Sequence, residues 1–217
     1  MKQFAELIRT LDSTNKTTLK VEALSHYFKT ASDKDKVWTI AILSHRRPPR
    51  PVNTNLMRQW ASTFAKIPLW LFEESYHIVG DLAETIALVI PPSSASSEKS
   101  LNQFLQEMIE LKPRSEEEKK EYLYENWFTL NYYERFVFTK LITGSFRIGV
   151  SQKLMTRALL KATELSKIFK IGPTDNFQAV TFKVDREAQN FIELDQGGAK
   201  KFIEVLSNKY YEAYSWQ

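Results

Sequence analysis

The sequence predicts an all-α fold with two helical lobes, and three observations support this prediction. Apolar residues recur at the i, i+3, i+4, i+7 spacing of one helix face along almost the whole chain. Cap-forming residues, glycines and prolines stand where these repeats begin and end. A proline- and serine-rich connector, residues 91–99, separates a lobe over residues 1–90 from a lobe over residues 100–217. We expect about twelve helices in total.

Apolar repeats of helical spacing fill the first lobe. They run from Phe4 to Leu11, from Ala23 to Phe28, from Val37 to Ile42, from Leu56 to Phe64, from Pro68 to Val79 and from Leu82 to Val89. Asp33 and Asn53 stand before two of these segments, so we expect them to cap the helices. Pro68 suits a first helical turn, and Gly80 suits a helix end.

The second lobe begins with helical segments on both sides of a capped turn. The helix that starts near Leu101 is predicted to end before Pro113. Ser115 and Glu118 have the spacing of a capping box, in which each side chain accepts a backbone N–H of the other. A further apolar repeat leads to Gly144, which is predicted as a helix C-cap.

Helical patterns continue to the end of the chain. Leu154 to Leu165 form one repeat, Thr174 is predicted to cap a short helix, and Gly197-Gly198 precede a last helix. Only the piece Gln178–Val184 has strand character.

Composition narrows the classes of protein. The chain has 217 residues, 43% of them apolar and 13% aromatic, which is enough for a packed core. No apolar run approaches the ~20 residues of a membrane span. The absence of cysteine excludes disulfides and cysteine–zinc sites, and the three histidines lack metal-ligand spacing, so no metal site is predicted. The N-terminus shows no signal peptide, and we expect a cytoplasmic protein without a membrane partner.

The stretch from Gly144 to Ser151 carries the clearest functional pattern. Its two glycines allow turns that are closed to other residues and a close approach of backbone to a ligand. Arg147 lies between them and offers five donors in a planar fork. Ser151 is placed to cap the next helix. A tight turn, an arginine and a helix N-terminus together predict a phosphate site.

A second basic segment is the loop His45–Pro51. Arg46, Arg47 and Arg50 lie within five residues, and the prolines keep the loop out of helix. An ordinary solvated loop explains this segment as well as a phosphate-contacting one. The presence of the glycine loop favours binding.

Two further basic groups are weaker indications. Thr14, Lys16, Thr17, Thr18 and Lys20 combine hydroxyls and ammonium groups at a helix start, which suits backbone phosphates. Surface lysines and capping threonines are common, so this cluster alone is ambiguous. Likewise, the series Lys153, Arg157 and Lys161 makes one basic stripe on a helix and, without the neighbouring glycine loop, would indicate only a solvated face.

These residues resemble the N-terminal DNA-binding domain of ATP-dependent DNA ligases. The loop Gly144–Gly149 with its following helix resembles that family's glycine, hydrophobic, Arg-Ile/Val-Gly pattern. The stretch Gly80–Thr85 is similar to another family stretch, and Phe4–Phe28 resembles the first two helices. The segment Arg46–Asn53 is most similar to a bacterial branch. The resemblance covers nearly the whole chain.

The resemblance implies an all-helical, two-lobed domain that contacts the backbone of nicked duplex DNA through the minor groove. Gly144, Arg147 and Gly149 match the family's backbone-binding loop, and we add residues from the neighbouring basic groups. No catalytic residue is predicted. The complete predicted DNA-binding set is Gly144, Ser145, Arg147, Gly149, Ser151, Lys153, Arg157, Arg46, Arg47, Arg50, Thr14, Lys16 and Thr18.

One departure from the family concerns catalysis. Ligases attach AMP to the lysine of a Lys-x-Asp-Gly motif, which this sequence lacks; Lys183-Val184-Asp185-Arg186 comes nearest. We therefore expect the chain alone to be non-catalytic and to be a fragment that ends about where the catalytic domain begins. The resemblance implies ATP and Mg²⁺ for a parent ligase in DNA repair, replication or recombination, and no cofactor for this chain.

The predicted function is sequence-independent binding of nicked duplex DNA by a monomer, since phosphate contacts carry no base code. Two other readings stay open. A freestanding nucleic-acid-binding module would have the same basic groups without an enzyme parent. A helical scaffold for protein partners is consistent with the small net charge of +4.

Overall fold

Ten α-helices and two short, antiparallel β-strands are the regular elements of the described part of the chain. The computed structural model describes residues 1–45, 50–92, 97–144, 146, 148–162, 180–183 and 191–194. The first helices are α1 (Lys2–Asp12), α2 (Thr17–Thr30), α3 (Asp33–Leu43), α4 (Thr54–Phe64) and α5 (Leu69–Val79). The others are α6 (Leu82–Val89), α7 (Leu101–Leu111), α8 (Glu116–Thr129), α9 (Tyr132–Thr143) and α10 (Gln152–Ala162). Within these residues no helix has the length and apolar character that crossing a membrane requires.

The all-α class is confirmed, and the helix count over the described residues is ten instead of about twelve. The predicted helices at Thr174 and after Gly197-Gly198 lie outside those residues. Strand β1 (Val180–Lys183) falls inside the one segment with predicted strand character, and it pairs antiparallel with β2 (Phe191–Leu194). The second strand was not predicted.

Local capping chemistry sets most helix boundaries. The predicted capping box of α8 is confirmed: Ser115 Oγ accepts the Glu118 N–H, and Glu118 accepts the Ser115 N–H at 2.8 Å. Asn53 caps α4 as predicted, with its Oδ1 2.7 Å from the Asn55 nitrogen. The prediction for α3 was wrong by one residue, because Ser32 is the cap and Asp33 is the first helical residue.

Two compact units divide the chain. Unit 1 comprises Met1–Arg9 and His45–Ile148, and unit 2 comprises Thr10–Ser44 and Gly149–Gln217. Helix α6, which precedes the connector at residues 91–99, packs within unit 1 against α9, which follows it. The two lobes expected from the sequence stay a prediction. Residues 93–96 of that connector lie outside the described residues.

The core of unit 1 contains the packing between α6 and α9 and is completed by aromatic rings. Trp127 of α8 is fully buried and donates its Nε1–H to the hydroxyl of Thr139 on α9 at 3.1 Å. Phe104 of α7 and Phe138 of α9 meet with ring centroids 5.6 Å apart. Such ring pairs contribute about 0.5–1.5 kcal/mol beyond their burial.

A buried arginine ties two helix ends of unit 1 together. The Arg135 side chain of α9 donates to the carbonyls of Trp127, Ile90, Pro91 and Leu130 at 2.7–3.1 Å. These carbonyls lie at the C-terminal ends of α6 and α8, where the helix dipole favours a cation. Burial lowers the pKa of this guanidinium from its usual value.

Unit 2 is built on the packing of α2 against α10. Leu24 of α2 and Ala158 of α10 are fully buried. Tyr27 of α2 is buried too, and its hydroxyl accepts a hydrogen bond from Thr39 of α3 at 3.0 Å. Burial raises the pKa of Tyr27 above its ordinary value.

Candidate nucleic-acid interface

Gly144 follows the last residue of α9 and is the first residue of the loop from Gly144 to Ser151, where the sequence predicts a phosphate site. Its N–H donates to the carbonyl of Lys140 at 3.1 Å, and the predicted C-cap is confirmed. Its φ of −164° is extended backbone that any residue adopts, and a Cβ there would have no atom within 4 Å. The backbone therefore does not use the conformational freedom that we expected at this glycine.

Two apolar side chains anchor the loop within unit 1. Phe146 is buried, and its ring meets that of Phe4 edge to face, with centroids 6.0 Å apart and an interplanar angle of 83°. Ile148 is buried as well. These contacts hold the loop backbone at two points. Ser145 and Arg147 lie outside the described residues, so their role as phosphate contacts stays a prediction.

Gly149 uses the conformational freedom expected of glycine in this loop. Its φ of 62° lies in the left-handed region, which strains any residue with a Cβ. A Cβ at this position would also lie 3.2 Å from the Nζ atom of Lys20. Lys20 belongs to the first turn of α2, and only 6% of its surface is exposed. A largely buried lysine thus places its ammonium group against the backbone that leads into α10.

Ser151 caps α10 as predicted. Its hydroxyl oxygen accepts the N–H of Leu154 at 3.2 Å, and its carbonyl accepts the N–H of Met155 at 3.0 Å. The N–H groups of Gln152 and Lys153 precede the first i to i−4 bond and have no partner inside the helix. They lie at the positive end of the helix dipole, where an anion is stabilised.

The start of α2 supplies further groups to unit 2. Lys16 and Thr18 are exposed, and both lie within one helical turn of Lys20. The N-cap of α2 is Lys16, and no side-chain hydrogen bond caps this helix. Thr14 accepts the N–H of Lys16 on its hydroxyl oxygen at 3.1 Å, so this side chain shapes the turn before the helix.

The basic stripe of α10 has members in different surroundings. Lys153 is exposed and Arg157 is half-buried. Lys161, at the end of the helix, pairs with Glu22 of α2 at 3.6 Å, and both side chains are more than half exposed. Because α2 packs against α10, the stripe and the α2 cluster belong to the same unit.

The arginine-rich segment is described only in part. Arg46 and Arg47 lie outside the described residues. Arg50 is exposed and stands in unit 1, three residues before the Asn53 cap of α4. The buried residues Pro51 and Val52 follow it and hold the chain at this point.

The predicted site residues therefore fall into three groups, and Lys20 joins them. Sequence reasoning included Lys20 in the α2 cluster without predicting it as a site residue, because only the fold places its ammonium next to Gly149. Unit 1 holds Gly144 and Arg50, unit 2 holds Thr14, Lys16, Thr18, Gly149, Ser151, Lys153 and Arg157, and the undescribed residues are Ser145, Arg147, Arg46 and Arg47.

A comparison with known protein families shows a family to which this chain is similar. The family described as DNA ligase N terminus matches residues 1–160, which is more than half of the chain. The match spans α1 to α9, the Gly144 loop and all but the last two residues of α10. No curated protein matches the chain.

Proposed function

The chain belongs to the DNA ligase N-terminus family, and on that premise we propose that it binds duplex DNA through the phosphate backbone, with a preference for nicked duplex. The observation that carries this proposal is the junction of Gly149 and α10. There a left-handed glycine leads into the first turn of α10, whose first amides have no partner inside the helix, and the Lys20 ammonium lies beside this backbone within unit 2. Backbone amides at a helix N-terminus favour an anion, and a nucleic-acid backbone is a series of anions.

The proposed contacts begin at the N-terminus of α10. The N–H groups of Gln152 and Lys153 donate hydrogen bonds to one phosphate, because they lack partners inside the helix. Lys153 and Arg157 engage further phosphates and release counterions. Lys16 and Thr18 at the start of α2 extend the same basic surface. These contacts read no bases, so binding is independent of sequence.

Arg147 is proposed as the arginine of the loop contact, with Ser145 beside it. Arg46, Arg47 and Arg50 are proposed as a second set of phosphate contacts. Contacts on both sides of a strand break would let the domain recognise a nick by shape. In a full-length ligase, this binding would raise the effective concentration of the two DNA ends at the catalytic centre.

We propose no nucleotide chemistry for this chain. Lys183 is the last residue of β1, and Arg186 stands where the adenylation motif requires glycine. In the described residues, no three His, Cys, Asp or Glu side chains group as a metal-binding cluster. No catalytic step is proposed for the residues of this chain. A role in repair, replication or recombination, the bacterial branch, the cytoplasmic location and the monomeric state remain predictions.

A salt titration of binding tests the proposed function. Fluorescence anisotropy would measure the affinity of the chain for a labelled nicked duplex, the intact duplex and a single strand. We expect the logarithm of duplex affinity to fall linearly with the logarithm of salt concentration, with a slope of about −0.9 for each phosphate contact. The nicked duplex should bind most tightly. A protein-interaction scaffold would show no duplex binding at low salt, and that result would overturn the proposal.

The variant Lys153→Gln extends the salt titration to a single predicted contact, and Lys112→Gln is its matched control. Both lysines are exposed, and each change removes one positive charge. Lys112 follows α7 in unit 1 and belongs to no proposed contact. We expect Lys153→Gln to reduce the magnitude of the salt slope by about 1 and Lys112→Gln to leave it unchanged. Equal slopes for the two variants would remove Lys153 from the interface.

A further inference from the structure

We propose that Asp81 is a positioning residue for the Gly144 loop, acting through an ion pair with Lys140. This inference rests on the proposed function, because it assigns a purpose to a contact outside the binding surface. The Nζ of Lys140, on α9, pairs with Oδ2 of Asp81, which precedes α6. Both residues belong to unit 1, where α6 and α9 pack against each other.

The two oxygens of Asp81 have different partners. Oδ1 accepts the N–H groups of Ala83 and Glu84 at 3.0 and 3.2 Å and so caps α6. Oδ2 is the oxygen that meets Lys140. The backbone before the cap is also fixed, because Gly80 ends α5 in the left-handed conformation with φ of 77°. Asp81 is therefore held on a rigid corner before it contacts α9.

Lys140 connects this corner to the loop. Its side chain is only 15% exposed and ends on Asp81, which is 30% exposed. Its carbonyl accepts the N–H of Gly144, the first residue of the loop. The ion pair thus holds the last turn of α9, and that turn sets where the loop starts. A partly buried pair of this kind is screened less by water than a surface pair.

The variant Asp81→Asn separates the ion pair from the helix cap. Asparagine keeps an oxygen that caps a helix as well as aspartate does, but it cannot pair as an anion with Lys140. Glu73→Gln is the matched control. Glu73 of α5 pairs with Arg58 of α4 at 2.9 Å, the two side chains are 38% and 28% exposed, and the pair lies in the same unit away from the loop.

A charge effect and a positioning effect would change the DNA affinity of Asp81→Asn in opposite directions. Each variant removes one negative charge, which by simple electrostatics raises affinity for DNA slightly. If Asp81 positions the loop, Asp81→Asn instead weakens binding of the nicked duplex several-fold relative to Glu73→Gln. Affinity would be measured well below the unfolding midpoint, with circular dichroism to show that both variants are folded.

Hydrogen exchange in the free protein gives a second readout. We expect the Gly144 N–H to exchange about tenfold faster in Asp81→Asn and at the wild-type rate in Glu73→Gln, because local opening of the last α9 turn exposes it. Lys140→Met should reproduce the faster exchange, and the double variant Asp81→Asn/Lys140→Met should add little to either single change. Equal exchange rates and equal affinities in Asp81→Asn and Glu73→Gln would overturn the proposal. Failure of the wild-type chain to bind DNA would overturn the proposed function, while the exchange rates would still decide the positioning role.

Discussion

The ammonium group of Lys20 lies against the backbone of Gly149, where a Cβ atom would stand 3.2 Å from Nζ. Lys20 is in the first turn of α2, and Gly149 lies three residues before α10 begins. The Lys20 side chain therefore occupies the space that a Cβ atom at position 149 would need. The contact also explains why the second glycine of the loop is the more constrained one.

Replacement of Gly149 should cost more than replacement of Gly144. We expect Gly149→Ala to lower the free energy of unfolding by about 1–2 kcal/mol, because alanine is strained at a φ of 62°. Gly144→Ala is the control, since its backbone is extended and its Cβ would meet no atom within 4 Å. Its effect should stay within about 0.5 kcal/mol. Urea unfolding of both variants measures the difference, and equal losses would contradict the conformational argument.

Two substitutions of Ser151 separate its capping role from anion binding. Ser151→Ala removes the acceptor of the Leu154 N–H and should lower stability by about 1 kcal/mol. Ser151→Asp keeps a capping oxygen, so its stability should equal or exceed that of the wild type. The new carboxylate should nevertheless weaken duplex binding by repelling phosphate. Thermal unfolding and anisotropy would be measured on the same samples. Undiminished affinity of Ser151→Asp would place the DNA away from this helix end.

Arg147→Ala tests the loop arginine directly. We expect weaker duplex binding by about 1 kcal/mol or more, since charge-assisted hydrogen bonds to phosphate are lost. The slope of affinity against salt should also become flatter. Arg46→Ala should act in the same direction with a smaller effect, because an exposed flexible side chain is better screened.

The control for the arginine variants is Arg114→Ala. Arg114 is exposed, pairs with Glu118 at 3.2 Å and lies outside the proposed contacts. The variant Arg114→Ala removes the same charge as Arg147→Ala and should leave the slope of affinity against salt unchanged. A salt titration in which Arg147→Ala and Arg114→Ala coincide would reject the loop assignment.

Arg135→Met should be among the most damaging changes in unit 1. Methionine fills much of the space but leaves four carbonyls, at the ends of α6 and α8, without the arginine donor. We expect a loss of about 3–5 kcal/mol, as when one partner of a buried polar network is removed. Arg135→Lys keeps the charge with fewer donors and should lose less. Chemical denaturation measures both, and a loss below 1 kcal/mol for Arg135→Met would show that water replaces the guanidinium.

Features that depend on neighbours in sequence were predicted well. The capping box of Ser115 and Glu118 and the Asn53 cap follow from side chains that reach backbone groups two or three residues away. Gly80 ends α5 in the left-handed conformation for the same local reason. The prediction of Asp33 as the N-cap of α3 was wrong by one residue, because the adjacent polar residues Ser32 and Asp33 can both serve as a cap.

Features that depend on distant residues were not predictable in this way. The apolar pattern around Arg135 indicates a helix but does not reveal that its guanidinium reaches the carbonyls of Ile90 and Pro91, 44 and 45 residues away. Likewise, the apolar repeats predict α6 and α9 but not that these two helices pack against each other, because periodicity carries no information on which faces meet.

By itself, the sequence determined the all-α class, the described helices, the caps at Asn53, Ser115 and Ser151, and the family resemblance carried by the loop from Gly144 to Gly149. Only the tertiary structure decided that α2 packs on α10, that Lys20 reaches Gly149, and that Asp81 pairs with Lys140 of α9. The physical reason is the range of the interactions. Caps and helical repeats act over a few residues, whereas the position of a charge near the proposed phosphate site depends on apolar faces brought together from distant parts of the chain.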